Sequence, residues 1–234
     1  MTHFSPEALA FLRSLHRNNR REWFTPRKPI FDAQLKAPML ALIAELNEAM
    51  LAFAPQHIRP PQKALLRIYR DTRFSADKTP YKQHISSWWS ADGMPKTSGA
   101  GFYFHIGHNE VAIAAGCYMP QPDQLLAIRR HLLTHHNELR RMLASKKIQT
   151  LMPNFEGQEL KRAPKGFDAD HPGADLILCR QWGFSGRLPA SAALDKSLAK
   201  EIITRFKAAA PIVHLLNAPL LAQPEAKRKP IFGF

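Results

Sequence analysis

Gly101-Phe102-Tyr103-Phe104-His105-Ile106-Gly107-His108-Asn109-Glu110-Val111-Ala112-Ile113-Ala114-Ala115-Gly116-Cys117 carries the plainest structural signal in the chain. Apolar and polar side chains alternate from Phe102 to Ile106. Val111, Ile113, Ala115 and Cys117 then alternate with small residues. Period two sends successive side chains to opposite faces of a strand. Gly107-His108-Asn109-Glu110 supplies a turn, so the stretch predicts an antiparallel hairpin with strands over 101–107 and 110–118. Ala112, Ala114 and Gly116 leave one face of that hairpin low, where a helix or a ligand can come close.

Upstream, His84 to Trp89 reads as a further strand, and alternation about Leu66 and Ile68 predicts another over 64–70. Leu176 to Trp182 reads as a buried strand. The helical signals lie toward the two ends. Ser5-Pro6-Glu7 is a helix start, with Ala8, Phe11, Leu12 and Leu15 on one face. Trp23 and Phe24 are expected to anchor a short segment to the core. Leu35, Met39, Leu42, Ile43, Leu46, Met50 and Phe53 keep a helical period, which Pro38 must kink or break. Pro120 and Pro122 open a helix, and a second helical stretch carries Leu139, Met142 and Leu143. Arg129-Arg130 and His135-His136 between them read as a solvated face. Leu194 to Phe206 predicts a helix, and Pro211 the start of another. Helices segregated from the strands predict an α+β fold, with an antiparallel sheet flanked by helices in a single compact domain over 1–234. Residues 223–234 read as a loose basic tail that could also dock by its aromatics.

The chemistry concentrates in Lys63-Ala-Leu-Leu-Arg67-Ile-Tyr69-Arg70-Asp71-Thr-Arg73-Phe74-Ser75-Ala-Asp77-Lys78-Thr-Pro80-Tyr81-Lys82. Six basic residues face two aspartates there, a net +4. Asp71, Ser75 and Asp77 favour turns, so the expectation is a strand running into an ordered loop. Arginine's planar fork suits carboxylate and phosphate. A turn near Asp71 would bring Arg67 and Arg73 together on an oxyanion. The candidate ligand-binding residues are Arg67, Tyr69, Arg70, Asp71, Arg73, Asp77, Lys78, Tyr81 and Lys82, with Tyr103 as a further hydroxyl or stacking face. If the protein is an enzyme, Asp71, Asp77 or His171 would be its acid–base groups. The structural alternative is that arginines and aspartates pair with each other and pin the loop.

With 234 residues the chain can bury about 70% of its unfolded surface and needs no disulfide or metal to fold. Its two cysteines, Cys117 and Cys179, lie far apart in apolar runs, so buried free thiols are expected. Asp168, Asp170, His171 and Asp175 match no standard metal loop, and no metal or cofactor is expected. No nucleotide-binding, zinc-protease or serine-hydrolase motif occurs. The start of the chain does not read as a signal peptide and no apolar run approaches a membrane span, which predicts a cytoplasmic protein with no membrane partner. A net charge of +14 makes nucleic acid a second candidate partner beside an anionic small molecule.

Taken together, several stretches resemble the domain of unknown function 2461 family. They are Asn18-Asn19-Arg20-Arg21-Glu22-Trp23-Phe24, Arg67 to Lys82, Gly101 to Ile106, and Leu160-Lys161-Arg162-Ala163-Pro164-Lys165-Gly166-Phe167. The resemblance spans nearly the whole chain. It implies one compact domain and carries no activity with it.

Overall fold

The computed structural model describes residues 4–95 and 97–221. The basic tail expected over 223–234 lies outside the described residues. The centre is a five-stranded antiparallel sheet in the order β1-β2-β3-β5-β4. Its strands are β1 (His84–Ser90), β2 (Ala100–Gly107), β3 (Glu110–Cys117), β4 (Asn154–Glu156) and β5 (Trp182–Pro189). The β2–β3 hairpin forms as its alternation predicts, with Phe104 opposite Ile113 and Ile106 opposite Val111.

Ahead of the sheet come α1 (Pro6–Arg17), α2 (Arg21–Phe24), α3 (Lys28–Phe31), α4 (Ala37–Met50) and α5 (Pro61–Ala64). Within and after it come α6 (Pro122–Leu143), α7 (Lys146–Leu151), α8 (Ala174–Ile177) and α9 (Leu198–Leu221). Pro38 does not break its helix. A π-helical turn at Asp32–Lys36 runs directly into α4, with Pro38 at its start, so the irregularity around the proline is a local change of helical pitch rather than a break.

Phe102, Phe104 and Ile106 of β2 and Val111, Ile113 and Cys117 of β3 are all fully buried. They share a face with Trp89, Trp182 and Phe184. α9 packs across this face, with Phe206 edge-on to Trp89 at 5.6 Å and tilted against Phe102 at 5.0 Å. Each such side chain contributes roughly 1.5–3 kcal/mol when fully buried. That burial also accounts for one helix, α9, running through Pro211 and Pro219 where a new start was expected. Ala209, Ala210, Ile212 and Val213 on either side of Pro211 are buried, so packing holds the helix across the lost hydrogen bond.

Three other expectations need correction. Residues 64–70 form no ladder strand: Ala64 ends α5, and only isolated bridges follow, Leu65 to Ser87 and Tyr69 to Tyr81. The polar loop turns the chain back on itself before a ladder with β1 can extend. Leu176–Trp182 is not a strand either. Its first residues make α8, and the strand begins at Trp182. A short apolar run does not distinguish the two. Finally, α6 is one helix, and Arg129 and His136 on it are buried rather than solvated. The Arg129 guanidinium donates to the carbonyls of Ile177 and Cys179, both at 2.9 Å.

Candidate functional site

The predicted site folds into a loop closed at its base and occupied by its own charges. The base is the Tyr69–Tyr81 bridge, where Arg70 N donates to Pro80 O at 2.9 Å and Lys82 N to Ile68 O at 2.8 Å. Asn19 clasps the backbone of Tyr81, donating to its carbonyl at 2.8 Å and accepting from its N–H at 3.0 Å. The Tyr81 ring is buried and stacks on Phe24 at 4.1 Å. Tyr81 therefore anchors the base of the loop to the core.

Within the loop, Arg70 pairs with Asp77 and bonds the Thr79 hydroxyl. Arg73 forks onto Asp71, through Nε at 3.0 Å and Nη2 at 2.8 Å. The Arg73 side chain and backbone hold the Asp71 carboxyl down to about 2. The Thr79 backbone N–H, helped by Arg70, does the same for Asp77. Carboxylates this acidic stay ionised at neutral pH and do not carry protons. Lys78 is tied to Thr72 O at 3.0 Å, and the charge of Lys82 acts on His84. His171 sits in a separate turn, edge-on to His136 at 5.0 Å, and its Nδ1 accepts from Gly173 N. Among the described residues no group of three or more His, Cys, Asp or Glu is placed to hold a metal ion.

Arg67 is the exception. It is exposed and makes no hydrogen bond or ion pair among the described residues. It borders a groove of about 200 Å3 between the 24–36 segment and residues 65–69. Phe24, Phe31, Leu65, Ile68 and Ile85 give the groove apolar walls, and Lys28, Asp32, Lys36, Arg67 and Tyr69 stand around them. Lys28 is held by Asp32 at 2.5 Å. Lys36, like Arg67, has no partner among the described residues. At the loop's other end Phe74 is 94% exposed, with the Arg73 guanidinium 5.7 Å from its ring. A larger hollow of about 440 Å3 between α6, α7 and α9 contains none of the predicted residues.

A second cluster, not assembled by the sequence reading, lies on the sheet face opposite α9. In register across β2, β3 and β5 stand Tyr103, Ala114 and Ser185, and beside them His105, Ala112 and Arg187. Tyr103 Oη is 3.0 Å from His105 Nδ1, and His105 Nε2 is 3.4 Å from Glu110 Oε1. Arg187 holds the other Glu110 oxygen at 2.7 Å. The His84 ring stacks on His105 at 4.4 Å. Burial keeps His105 below its ordinary range and pushes the Tyr103 phenol up to about 12. The available signal was Tyr-x-His on one strand, opposite Ala-x-Ala on the next.

The model of the family described as a conserved hypothetical protein, DUF2461, matches residues 7–215. The chain belongs to this family. No curated protein and no solved structure matches it. The DUF2461 match takes in the Asn19 clasp, the ion-paired loop, the Arg67 groove and the Tyr103 cluster. No helix among the described residues is long and apolar enough to cross a membrane.

Proposed function

We propose that this DUF2461 protein binds a small phosphate- or carboxylate-bearing ligand with an apolar body, in the groove beside Arg67. The observation that supports this reading is the contrast within the arginine motif. Arg70 and Arg73 are paired directly with Asp77 and Asp71, while Arg67, beside apolar walls, makes no direct hydrogen bond or ion pair among the described residues and touches Asp71 only through its charge. An anion on Arg67 gains a charge-assisted hydrogen bond, and Lys36 adds a second positive charge. The groove is smaller than the ~300–1,000 Å3 of drug-sized pockets, which favours a short chain or a single ring. The ion-paired loop then acts as a strut: with Asn19 it fixes Tyr69 and the backbone that presents Arg67.

The test is a thermal-shift series with inorganic phosphate, hexanoate and hexyl phosphate. A ligand at ten times its Kd stabilises the fold by about 1.4 kcal/mol. The reading expects hexanoate or hexyl phosphate to raise Tm more than phosphate alone, and Arg67→Ala to remove the rise. No shift with any of the three, or a shift that survives Arg67→Ala, refutes it.

A further inference from the structure

We propose that the open face of the sheet is a general-base site, in which Tyr103, backed by His105 and Glu110, takes a proton from a water molecule attacking a small ester. The geometry is a trough one strand wide. Its floor is β3, where Ala112, Ala114 and Gly116 raise no tall side chain. Tyr103 and His105 stand along one side and Ser185 and Arg187 along the other. Two strand spacings make the trough roughly 10 Å across. Gly116 has φ +109, and a Cβ there would meet the carbonyl oxygen of Trp182 at 2.0 Å. Glu110 closes one end by bridging His105 and Arg187.

The direction of proton flow follows from the donors and acceptors. Ionised Glu110 can only accept, so the hydrogen lies on His105 Nε2. His105 Nδ1 then carries the lone pair and accepts from the Tyr103 hydroxyl at 3.0 Å. The phenol oxygen accepts from the Ser86 hydroxyl of β1, which works against burial, and keeps a second lone pair that can accept from a water molecule. When a water resting on it gives up a proton, Tyr103 receives that proton and passes its own to Nδ1. The resulting imidazolium is held by the Glu110 carboxylate. The hydroxide adds to the ester carbonyl carbon, the bond to the leaving oxygen breaks, and the leaving group departs with the electron pair. The proton on His105 returns through Tyr103 to the leaving group. Ester and water become acid and alcohol, and no other reactant is consumed. Arg187 spends one nitrogen on Glu110 and is 61% exposed, so its remaining donors can meet the oxyanion.

This arrangement is independent of the Arg67 groove. Tyr103, His105 and Ser185 are half-buried, so the cluster is reached from solvent while most of each side chain is dry. His84, stacked on His105, is pushed by burial down to about 3 and stays neutral, which keeps a second positive charge away from the imidazolium.

The experiment follows p-nitrophenyl acetate hydrolysis by the full chain against pH. General-base catalysis is worth about 10²–10⁴-fold, so Tyr103→Phe, which keeps the ring, should lose at least ~10-fold of the protein-dependent rate. His105→Asn should lose as much, which covers the case in which Tyr103→Phe fails to fold. His16→Ala, a surface imidazole outside the trough, should keep the wild-type rate. In Glu110→Gln the low-pH foot of the remaining activity should move to lower pH. Glu110 is the group that raises the His105 pKa against burial. A merely structural cluster would not move that foot. The proposal is overturned if wild type hydrolyses no faster than free imidazole at equal histidine concentration, or if folded Tyr103→Phe matches wild type.

Discussion

Asn217 of α9 is buried and holds the first residue of β2 by both of its backbone groups. It accepts from Ala100 N at 2.8 Å and donates to Ala100 O at 2.9 Å. Its amide also lies 3.3 Å from His57 Nε2. Asn217→Ala strands a donor and an acceptor where Ala100 is fully buried. Each buried group left unsatisfied costs about 1–3 kcal/mol. The expected loss is therefore about 2–6 kcal/mol, with the low end reached if water enters the space vacated. For a chain of this size ~4 kcal/mol lowers Tm by roughly 10 °C. Urea unfolding measures the loss directly, and an unchanged m-value shows that the native and unfolded states stay comparable. A loss under ~1 kcal/mol with unchanged m would refute the reasoning that this clasp ties α9 to the sheet.

Acid should destabilise the fold through its buried histidines. Burial pushes His57 down from 6.5 to about 4 and His84 to about 3. The folded chain keeps both neutral, whereas the unfolded chain protonates them below about pH 6.5. Their contribution is therefore flat above pH 6.5 and falls as pH drops toward 4, by about 3 kcal/mol for His57 over that window. Urea midpoints from pH 7 to pH 4 check this, and His57→Gln should flatten the slope. Phe74 supports a nucleic-acid alternative, since an exposed ring beside Arg73 can stack on a base. If that holds, Phe74→Ala should weaken binding to a single-stranded oligonucleotide at ~50 mM salt, and the wild-type affinity should fall steeply with added salt. No binding at that salt removes the alternative.

The sheet was readable where side chains alternate in kind. Phe102 to Cys117 fixed the hairpin, and His84 to Trp89 its neighbour. β5 alternates as well, through Trp182, Phe184 and Leu188, but Gly183 and Gly186 thin the pattern. Gly186 is there for contact rather than for conformation. A Cβ on it would meet the carbonyl oxygen of Leu151 at 2.0 Å, a close approach that no local period announces. The loop was readable as ion-paired, because Arg70, Asp71, Arg73 and Asp77 crowd into a few residues. Which arginine would be left over was not readable. It depends on Asn19 closing the loop from sixty-two positions away. The Tyr103 cluster was hidden for a similar reason. Its members come from four strands, and only the register sets His105 beside Ala112 and Arg187.

The central claim is that Arg67, and neither Arg70 nor Arg73, meets the ligand. The most direct measurement follows the arginine Nε–H resonances of 15N-labelled protein during a hexyl phosphate titration, with assignments from the Lys substitution at each position. The account predicts that the Arg67 resonance moves and saturates, while those of Arg70 and Arg73 stay with Asp77 and Asp71. Movement of Arg70 and Arg73 with Arg67 unchanged would contradict it, as would no saturable movement in any of the three.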